Sequence, residues 1–259
     1  MERHAAPAFF VAGALAAFAG SYAVARAPDA PASQLAATLA AEIVFACAAL
    51  GGTLLLRRDP VRALRLEAPA LAGREIAALV AGFVCISHAL SLALTSFALR
   101  DTGTLGEIDH IVAESAGPSR AFAFLALGIA PAFGEELLFR GFVQQSARPR
   151  VGAMLAVALS AALFAAIHLD PVQSPAAFVL GLYLGAVVEL GGGLWVAILC
   201  HAVNNSLAVV GSMPGALPGA HALWALAGTL FGTGLTAILW VGRRARSRNR
   251  AILPPGAST

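Results

Sequence analysis

Long apolar stretches constrain the fold of this chain more than any other feature of its sequence. Eight of them can be placed, at 7–25, 35–56, 75–99, 120–146, 151–169, 175–190, 193–211 and 220–242. Each is close to the length of about 20 apolar residues that a transmembrane helix needs. They use up nearly the whole chain and leave no room for a sizeable soluble domain. The sequence therefore predicts an all-α polytopic membrane protein of about eight transmembrane helices, with a single domain over 1–259.

The first apolar stretch has a second interpretation. Glu2, Arg3 and His4 precede it, and it ends in the small-residue sequence AVARA. This order is typical of a secretory signal peptide. If residues 1–27 were cleaved, seven transmembrane helices would be left and the C-terminus would stay on the same side of the membrane.

The placement of arginine predicts the orientation, since basic residues concentrate in cytoplasmic loops. With the N-terminus inside, only Arg26, Arg100 and Arg120 fall in outer segments. Thirteen others fall in cytoplasmic segments: Arg3, Arg57, Arg58, Arg62, Arg65, Arg74, Arg148, Arg150, Arg243, Arg244, Arg246, Arg248 and Arg250. We therefore expect a cell membrane protein (inner or plasma membrane) with both termini in the cytoplasm. Because the net charge of +3 comes from arginines at span ends, we expect contact with lipid and none with nucleic acid.

Three charged residues inside the fourth apolar stretch call for a functional explanation. Glu135, Glu136 and Arg140 lie within six residues, and a charge at the bilayer centre costs about 2.5–3.5 kcal/mol. Glu136 and Arg140 are four apart, so they can form an ion pair on one helix face. Glu135 is rotated by about 100° from Glu136 and faces elsewhere. A carboxylate in an apolar site beside a neutralised neighbour suits a general base or a proton carrier.

Several other residues receive structural interpretations. Gly128, Pro131 and Gly134 predict a break that places Glu135 near a new helix start. Outside this stretch, we expect Glu42 and Glu189 to lie near span ends and reach the interface, and Asp170 to cap a loop. We expect the thiols of Cys47, Cys85 and Cys200 to be free and buried.

Two further pairs of polar and aromatic residues follow at helical spacing. Phe164 and His168 are four apart, as are His201 and Asn205, so each pair shares a helix face. The ordered set Glu-Glu-x-x-x-Arg, Phe-x-x-x-His and His-x-x-x-Asn resembles the CAAX proteases and bacteriocin-processing enzymes, the CPBP or Abi group of intramembrane endopeptidases. The resemblance covers about 118–212, which we take as the catalytic core.

This resemblance implies roles for the motif residues. Glu135 would activate a water for attack on a peptide carbonyl, and His168 would help to hold that water. His201 and Asn205 would orient the site and stabilise the oxyanion. Glu136 completes the catalytic set through its pair with Arg140, while Arg140 and Phe164 would have structural roles.

The sequence leaves the question of a metal open. Glu135, His168 and His201 could hold a catalytic Zn²⁺ with one open position. A metal-free site, in which the glutamate alone activates the water, uses the same residues. The sequence is consistent with both the Zn²⁺ site and the metal-free site.

A count along the predicted spans raises one difficulty. At about 1.5 Å per residue, Glu135 lies about 21 Å from the outer edge and His201 about 10 Å from the inner edge. These two therefore share a depth, whereas His168 comes out about 15 Å too far from the cytoplasmic edge. Either the fifth span starts later or tilts, or Glu135 lies nearer the outside.

Two other functions fit the polar residues. In a proton-coupled transporter, Glu135, His168 and His201 would form a relay, which predicts paired broken helices; the sequence holds no second copy of the glutamate motif. A non-catalytic binding protein of the immunity or resistance type would keep the residues as a scaffold. The favoured interpretation is a peptidase for a membrane-associated or lipidated protein or peptide, with the substrate, its prenylation and the oligomeric state left open.

Overall fold

The computed structural model describes residues 18–20, 22–23, 26, 30–210 and 220–252, with the side chains of 220–224 and 249–252 left aside. Throughout this part of the chain the regular structure is helical, with no strand. The predicted all-α membrane fold is confirmed. The first predicted span at 7–25, with its signal-peptide alternative, lies almost wholly outside the described residues.

The helices follow one another with short connections. In chain order they are α1 (Pro31–Leu55), α2 (Pro60–Ala63), α3 (Gly73–Ser96), α4 (Gly103–Glu114), α5 (Pro118–Ala123), π1 (Phe124–Ile129), α6 (Ala130–Glu136), π2 (Leu137–Val143), α7 (Gln144–Ala166), α8 (Gln173–Val187), π3 (Val188–Gly192), α9 (Gly193–Val210) and α10 (Ala220–Ile252). The three π segments run on into their α neighbours without interruption.

Five helical runs in the described residues are long and apolar enough to cross a membrane. Two of them, Pro118–Ala166 with 49 residues and Gln173–Val210 with 38, exceed one crossing, since about 30 Å of hydrocarbon takes about 20 residues. Each bends back at glycine: Gly152 has φ 80° and ψ 169°, and Gly191 has φ 94°. Positive φ costs a glycine little, so these positions suit a reversal of the chain.

These reversals divide the two long runs into four spans. Ser160 Oγ donates a hydrogen bond to the Phe139 carbonyl at 2.8 Å, which requires that the two halves of Pro118–Ala166 lie side by side. The five runs thus correspond to seven of the predicted spans. The count of eight stays a prediction.

Segments predicted to share one side of the membrane contact each other. Three contacts join predicted cytoplasmic segments: Leu194 N to Arg65 O at 2.8 Å, Arg148 Nε to Glu189 Oε2 at 3.0 Å, and Arg248 Nη1 to Glu75 Oε1 at 2.6 Å. At the other end, Asp170 accepts from Thr104 N at 2.7 Å. This pairing fits the alternation of spans predicted from the sequence.

Helix packing places α6 at the centre of the bundle. Helix α1 packs on α6 and π2 from one side, and α9 packs on π1 and α6 from another. An aromatic and aliphatic cluster that includes Phe45, Phe139 and Phe164 fills the space between α1, π2 and α7.

Of the cysteines, Cys200 is buried and Cys85 is half-buried. Cys47 in α1 is exposed, so the expectation of burial was wrong there.

Candidate active site

Two π segments flank the short helix that carries the adjacent glutamates. Helix α6 runs between π1 and π2, and all three are continuous. The predicted break before Glu135 is therefore wrong, because Ile129, two residues before Pro131, keeps helical torsions (φ −100°, ψ −50°). Proline lacks an N–H and crowds the carbonyl four residues earlier. The wider π turn accommodates this defect, as π-bulges in helices often do at functional sites.

The carbonyl group of Leu127 shows how the bundle compensates for the proline. In a regular α-helix this oxygen accepts from the N–H of residue 131, which Pro131 does not have. Asn205 Nδ2 donates to it instead, at 3.4 Å from α9. The Oδ1 atom of Asn205 accepts from Asn204 Nδ2 at 3.3 Å. Asn205 thus connects α9 to the π1 turn that precedes the glutamates.

Glu136 links a buried cation to a histidine. Its Oε1 accepts from Arg140 Nη1 at 2.9 Å and from His201 Nδ1 at 2.9 Å, and the Glu136 and Arg140 side chains are fully buried. A carboxylate paired with arginine can only accept hydrogen bonds, so Nδ1 of His201 carries a proton. The Nε2 atom of His201 is therefore directed away from Glu136.

Glu135 faces that second nitrogen across a short gap. Its Oε2 lies 3.7 Å from His201 Nε2, which exceeds hydrogen-bond length. The Glu135 side chain is 12% exposed, whereas that of Glu136 is inaccessible. At this separation one water molecule beside the contact can bond both polar atoms.

Phe164 brings the second histidine to the same place. Its ring contacts the rings of His168 and His201, with centroids 5.0 and 6.2 Å apart, and Arg140 Cζ lies 4.2 Å from its centroid. His168 Nδ1 donates to the Phe164 carbonyl at 2.8 Å, because a carbonyl oxygen can only accept. The Phe164 carbonyl bonds Nδ1 and not Nε2, the other ring nitrogen of His168. The His168 side chain lies close enough to Glu135 for the two groups to interact electrostatically.

The depth difficulty raised by the sequence has a geometric solution. Gly152 reverses the chain, so depth is best counted from that residue. Glu135 lies 17 residues before it and His168 lies 16 residues after it, or about 26 and 24 Å along the two helices. The fourth span is longer at its predicted cytoplasmic end than the sequence predicted, because the helix from Pro118 runs on to the reversal at Gly152.

The structure therefore gathers most of the predicted site residues. Glu135, Glu136, Arg140, Phe164, His168 and His201 form one connected cluster. Asn205 lies one turn beyond His201 and contacts Leu127 rather than the carboxylates. The roles assigned to these residues stay predictions.

Sequence reasoning missed one carboxyl group, that of Glu42. Placed near a span end in the sequence analysis, Glu42 instead lies inside α1 and is only 6% exposed, so the predicted interfacial position was wrong. The cause is the start of the helix: α1 begins at Pro31, which puts Glu42 about 17 Å along it, near mid-membrane. A lone carboxyl group at that depth is itself a signal of function.

The metal predicted as one of two alternatives would be held by Glu135, His168 and His201. Across the described residues, no group of three or more His, Cys, Asp or Glu side chains is placed to hold a metal ion. Nδ1 of His168 and Nδ1 of His201 each bond a protein oxygen, which is the usual state of the second nitrogen in a histidine that binds a metal through Nε2. A Zn²⁺ held by Glu135, His168 and His201 and a metal-free site both stay predictions.

Comparison with known proteins gives a family match. Residues 117–207 match the family described as "Rce1-like: Type II CAAX prenyl endopeptidase Rce1-like". This segment runs from just before α5 into α9 and contains all three motifs. Comparisons with curated proteins and with solved structures gave no match. The predicted resemblance to the CAAX protease family is confirmed over this segment.

Proposed function

Because residues 117–207 match the Rce1-like type II CAAX prenyl endopeptidases, we propose that this chain is an intramembrane endopeptidase. The observation that supports this best is the pair formed by Glu135 and His201. A partly exposed carboxylate faces Nε2 of a histidine whose other nitrogen is held by Glu136. An orienting carboxylate, an imidazole and a second carboxylate 3.7 Å from that imidazole form a set in which one water beside the contact can bond both groups and be activated.

In the proposed reaction, Glu135 is the general base. It removes one proton from a water molecule while the water oxygen bonds to the carbonyl carbon of the substrate peptide. The C–N bond then breaks, and Glu135 delivers the proton to the departing amine. The products are a carboxylic acid and an amine, so one water is consumed for each bond cleaved.

The histidines would hold the water, and the amide would stabilise the charge that develops in this step. Because Nδ1 is the protonated nitrogen of His168 and of His201, Nε2 of each would accept a hydrogen bond from the water. Asn205 uses Nδ2 to bind Leu127 O, and an amide nitrogen has a second N–H that can donate to the substrate carbonyl. Buried Arg140 would hold the Glu136 carboxylate in place through its ion pair and thus keep His201 in one orientation.

The proposed substrate is a membrane-associated or lipidated protein or peptide, of which a C-terminal CAAX sequence is the form named by the family. Gly141, six residues after Glu135, lies against Leu64 of the segment predicted to be cytoplasmic. The site would then be about 9 Å from that segment. We place the protein in the cell membrane with both termini in the cytoplasm, so substrates would enter from that side.

The test is N-terminal proteomics of membranes from cells that carry the wild-type chain or Glu135→Gln. This substitution keeps the shape of the side chain and removes the base. Glu107→Gln, the same change at an exposed carboxylate in α4, is the matched control. We expect a set of cleavage products with the wild type and with Glu107→Gln that disappears with Glu135→Gln.

The opposite result would be equally clear. If the product profile is unchanged and Glu135→Gln still complements a deletion phenotype, the catalytic hypothesis is excluded. The same residues would then belong to a binding protein.

A further inference from the structure

Glu42 is a buried carboxyl group that the motifs do not include. It lies in the middle of α1 and is 6% exposed. Its Oε2 atom is buried and makes no hydrogen bond within the described part of the chain. Buried polar atoms are nearly always hydrogen-bonded, and an isolated one in an apolar environment costs free energy. This side chain therefore needs an explanation.

The surroundings of Glu42 point to the site. Its backbone packs directly on α6 at Gly134: a Cβ atom added to that glycine would lie 2.6 Å from Glu42 O and 2.9 Å from Glu42 Cα. The same added atom would also contact Oε2 of Glu42, so the carboxyl group itself lies over this glycine. Glu135 is the next residue, and its carboxylate interacts electrostatically with Glu42.

Packing alone does not account for a carboxyl group here. The close approach of α1 and α6 depends on Gly134, whereas the Glu42 side chain could be replaced by an apolar one of similar size. Exchange of an unpaired buried polar group for an apolar one stabilises a protein as a rule. An intramembrane ionisable residue next to a proposed general base is better explained by a role in the site.

We propose that Glu42 is a third carboxyl group of the site and that its Oε2 holds the attacking water against Glu135. This inference rests on the proposed peptidase function. A carboxyl group can bond a water in either protonation state, as donor or as acceptor, so the role does not depend on its charge. Glu42 and His201 lie on helices that approach α6 from different sides, so the water is fixed by groups from both. Such fixation is what converts a mobile water into a positioned nucleophile.

The first arm of the test measures access of water to position 42 and needs no substrate. Cys47, Cys85 and Cys200 are replaced by alanine, and single cysteines are introduced as Glu42→Cys, Glu135→Cys or Ala49→Cys. Ala49 is fully buried on α1, two turns after Glu42, and serves as the matched control. We expect a small charged thiol reagent to modify Glu42→Cys at least roughly tenfold faster than Ala49→Cys, because a thiol buried in a dry core is inert.

The second arm measures turnover of an internally quenched peptide that ends in a farnesylated Cys-a-a-X sequence. We expect Glu42→Ala to lower kcat about 100-fold with little change in KM, the size typical of loss of a group that assists proton transfer to or from water. Glu42→Gln keeps the hydrogen-bonding groups and should recover most of the rate. Thr53→Val removes a hydroxyl that bonds only its own helix, at Ala49 O, and should leave kcat within about twofold of the wild type.

The two arms separate failure of this inference from failure of the proposed function. Equal modification rates at 42 and 49 would overturn the role of Glu42 whether or not any peptide is cleaved. An increase in KM alone for Glu42→Ala would also overturn it, since the group would then bind substrate rather than water. If Glu42→Cys and Glu135→Cys both react fast while the wild type cleaves nothing, Glu42 still belongs to a hydrated site and the peptidase function is what fails.

Discussion

Two ion pairs that each include a buried glutamate have opposite characters. The pair between Glu75 and Arg248 joins the start of α3 to the end of α10: Nη1 of Arg248 reaches both carboxylate oxygens, at 2.6 and 2.8 Å. Glu75 also accepts from the Ala72 backbone N–H at 2.8 Å, and the Arg248 side chain is 43% exposed. Every oxygen of this carboxylate has a partner.

The pair between Glu136 and Arg140 is inaccessible on both sides and incompletely bonded. Glu136 Oε2 makes no hydrogen bond within the described residues, nor do Arg140 Nε and Nη2. The guanidinium group lies over the Phe164 ring instead. A pair of this kind is a poor source of stability. The comparison therefore indicates that the first pair holds two helices together, whereas the second fixes His201 at the cost of unmet hydrogen bonds.

The largest expected effect comes from removal of one partner of the pair between Glu136 and Arg140, called the inner pair from here on. Glu136→Gln leaves Arg140 buried without a counter-ion, and we expect the free energy of unfolding to fall by about 3–5 kcal/mol. The double variant Glu136→Gln with Arg140→Met removes both charges and should recover much of that loss. Unfolding of the purified protein in mixed SDS and detergent micelles measures both values.

Peptidase activity, measured in the same variants, distinguishes a structural role of the pair from a role in the reaction. The double variant should stay inactive although it is more stable than the single one, because His201 has lost the carboxylate that orients it. Full activity in the double variant would mean that the inner pair is only structural, and the contrast between the two pairs would be lost.

A smaller effect is expected when the cation is changed and its charge is kept. Arg140→Lys loses the planar group over Phe164, and we expect a loss of about 1–2 kcal/mol in stability, the range for a buried cation–π contact. Arg248→Lys is the matched control, since an exposed ammonium group can still bond both oxygens of Glu75. Its unfolding free energy should stay within about 0.5 kcal/mol of the wild type. Equal losses at the two positions would contradict the assigned difference.

The sequence was sufficient for the parts of the molecule that depend on local patterns. Apolar runs located the spans, and motif spacing located the cluster around Glu135 and His201, because helical periodicity determines which side chains share a face. The break predicted at Pro131 was wrong because a tertiary contact intervenes. Asn205, 74 residues further along the chain, bonds the carbonyl that the proline leaves without a donor.

Glu42 was missed for a related reason. Its depth depends on where α1 begins, and element boundaries are the least certain part of a sequence-based assignment. A start at residue 31 rather than 35 moves the carboxyl group further from the end of the helix. Its contact with Gly134 joins helices that are remote in sequence, so no local pattern could reveal it.

The smallest effect is expected at Asp170, in the loop that follows His168, where a third kind of carboxylate environment occurs. Burial raises the pKa of the Asp170 carboxyl, but hydrogen bonds from the backbone N–H groups of Gln173, Thr104 and Val172 outweigh it and hold the pKa below its ordinary value of 3.8. Because the pKa is lowered in the folded state, the carboxylate stabilises the fold above about pH 4. That contribution is lost as the pH falls through the folded pKa.

Asp170→Asn tests this directly. Asparagine caps backbone N–H groups almost as well as aspartate, so we expect a loss below about 1 kcal/mol at neutral pH. The difference in unfolding free energy between the wild type and Asp170→Asn should be constant at neutral pH and shrink as the pH is lowered below 3.8, because only the wild-type side chain titrates there. A difference that grows on acidification would reverse the sign of the argument. It would mean that the folded state favours the protonated form of Asp170, as burial without hydrogen-bond partners does. The fully bonded Glu75 would then be a poor model for this residue.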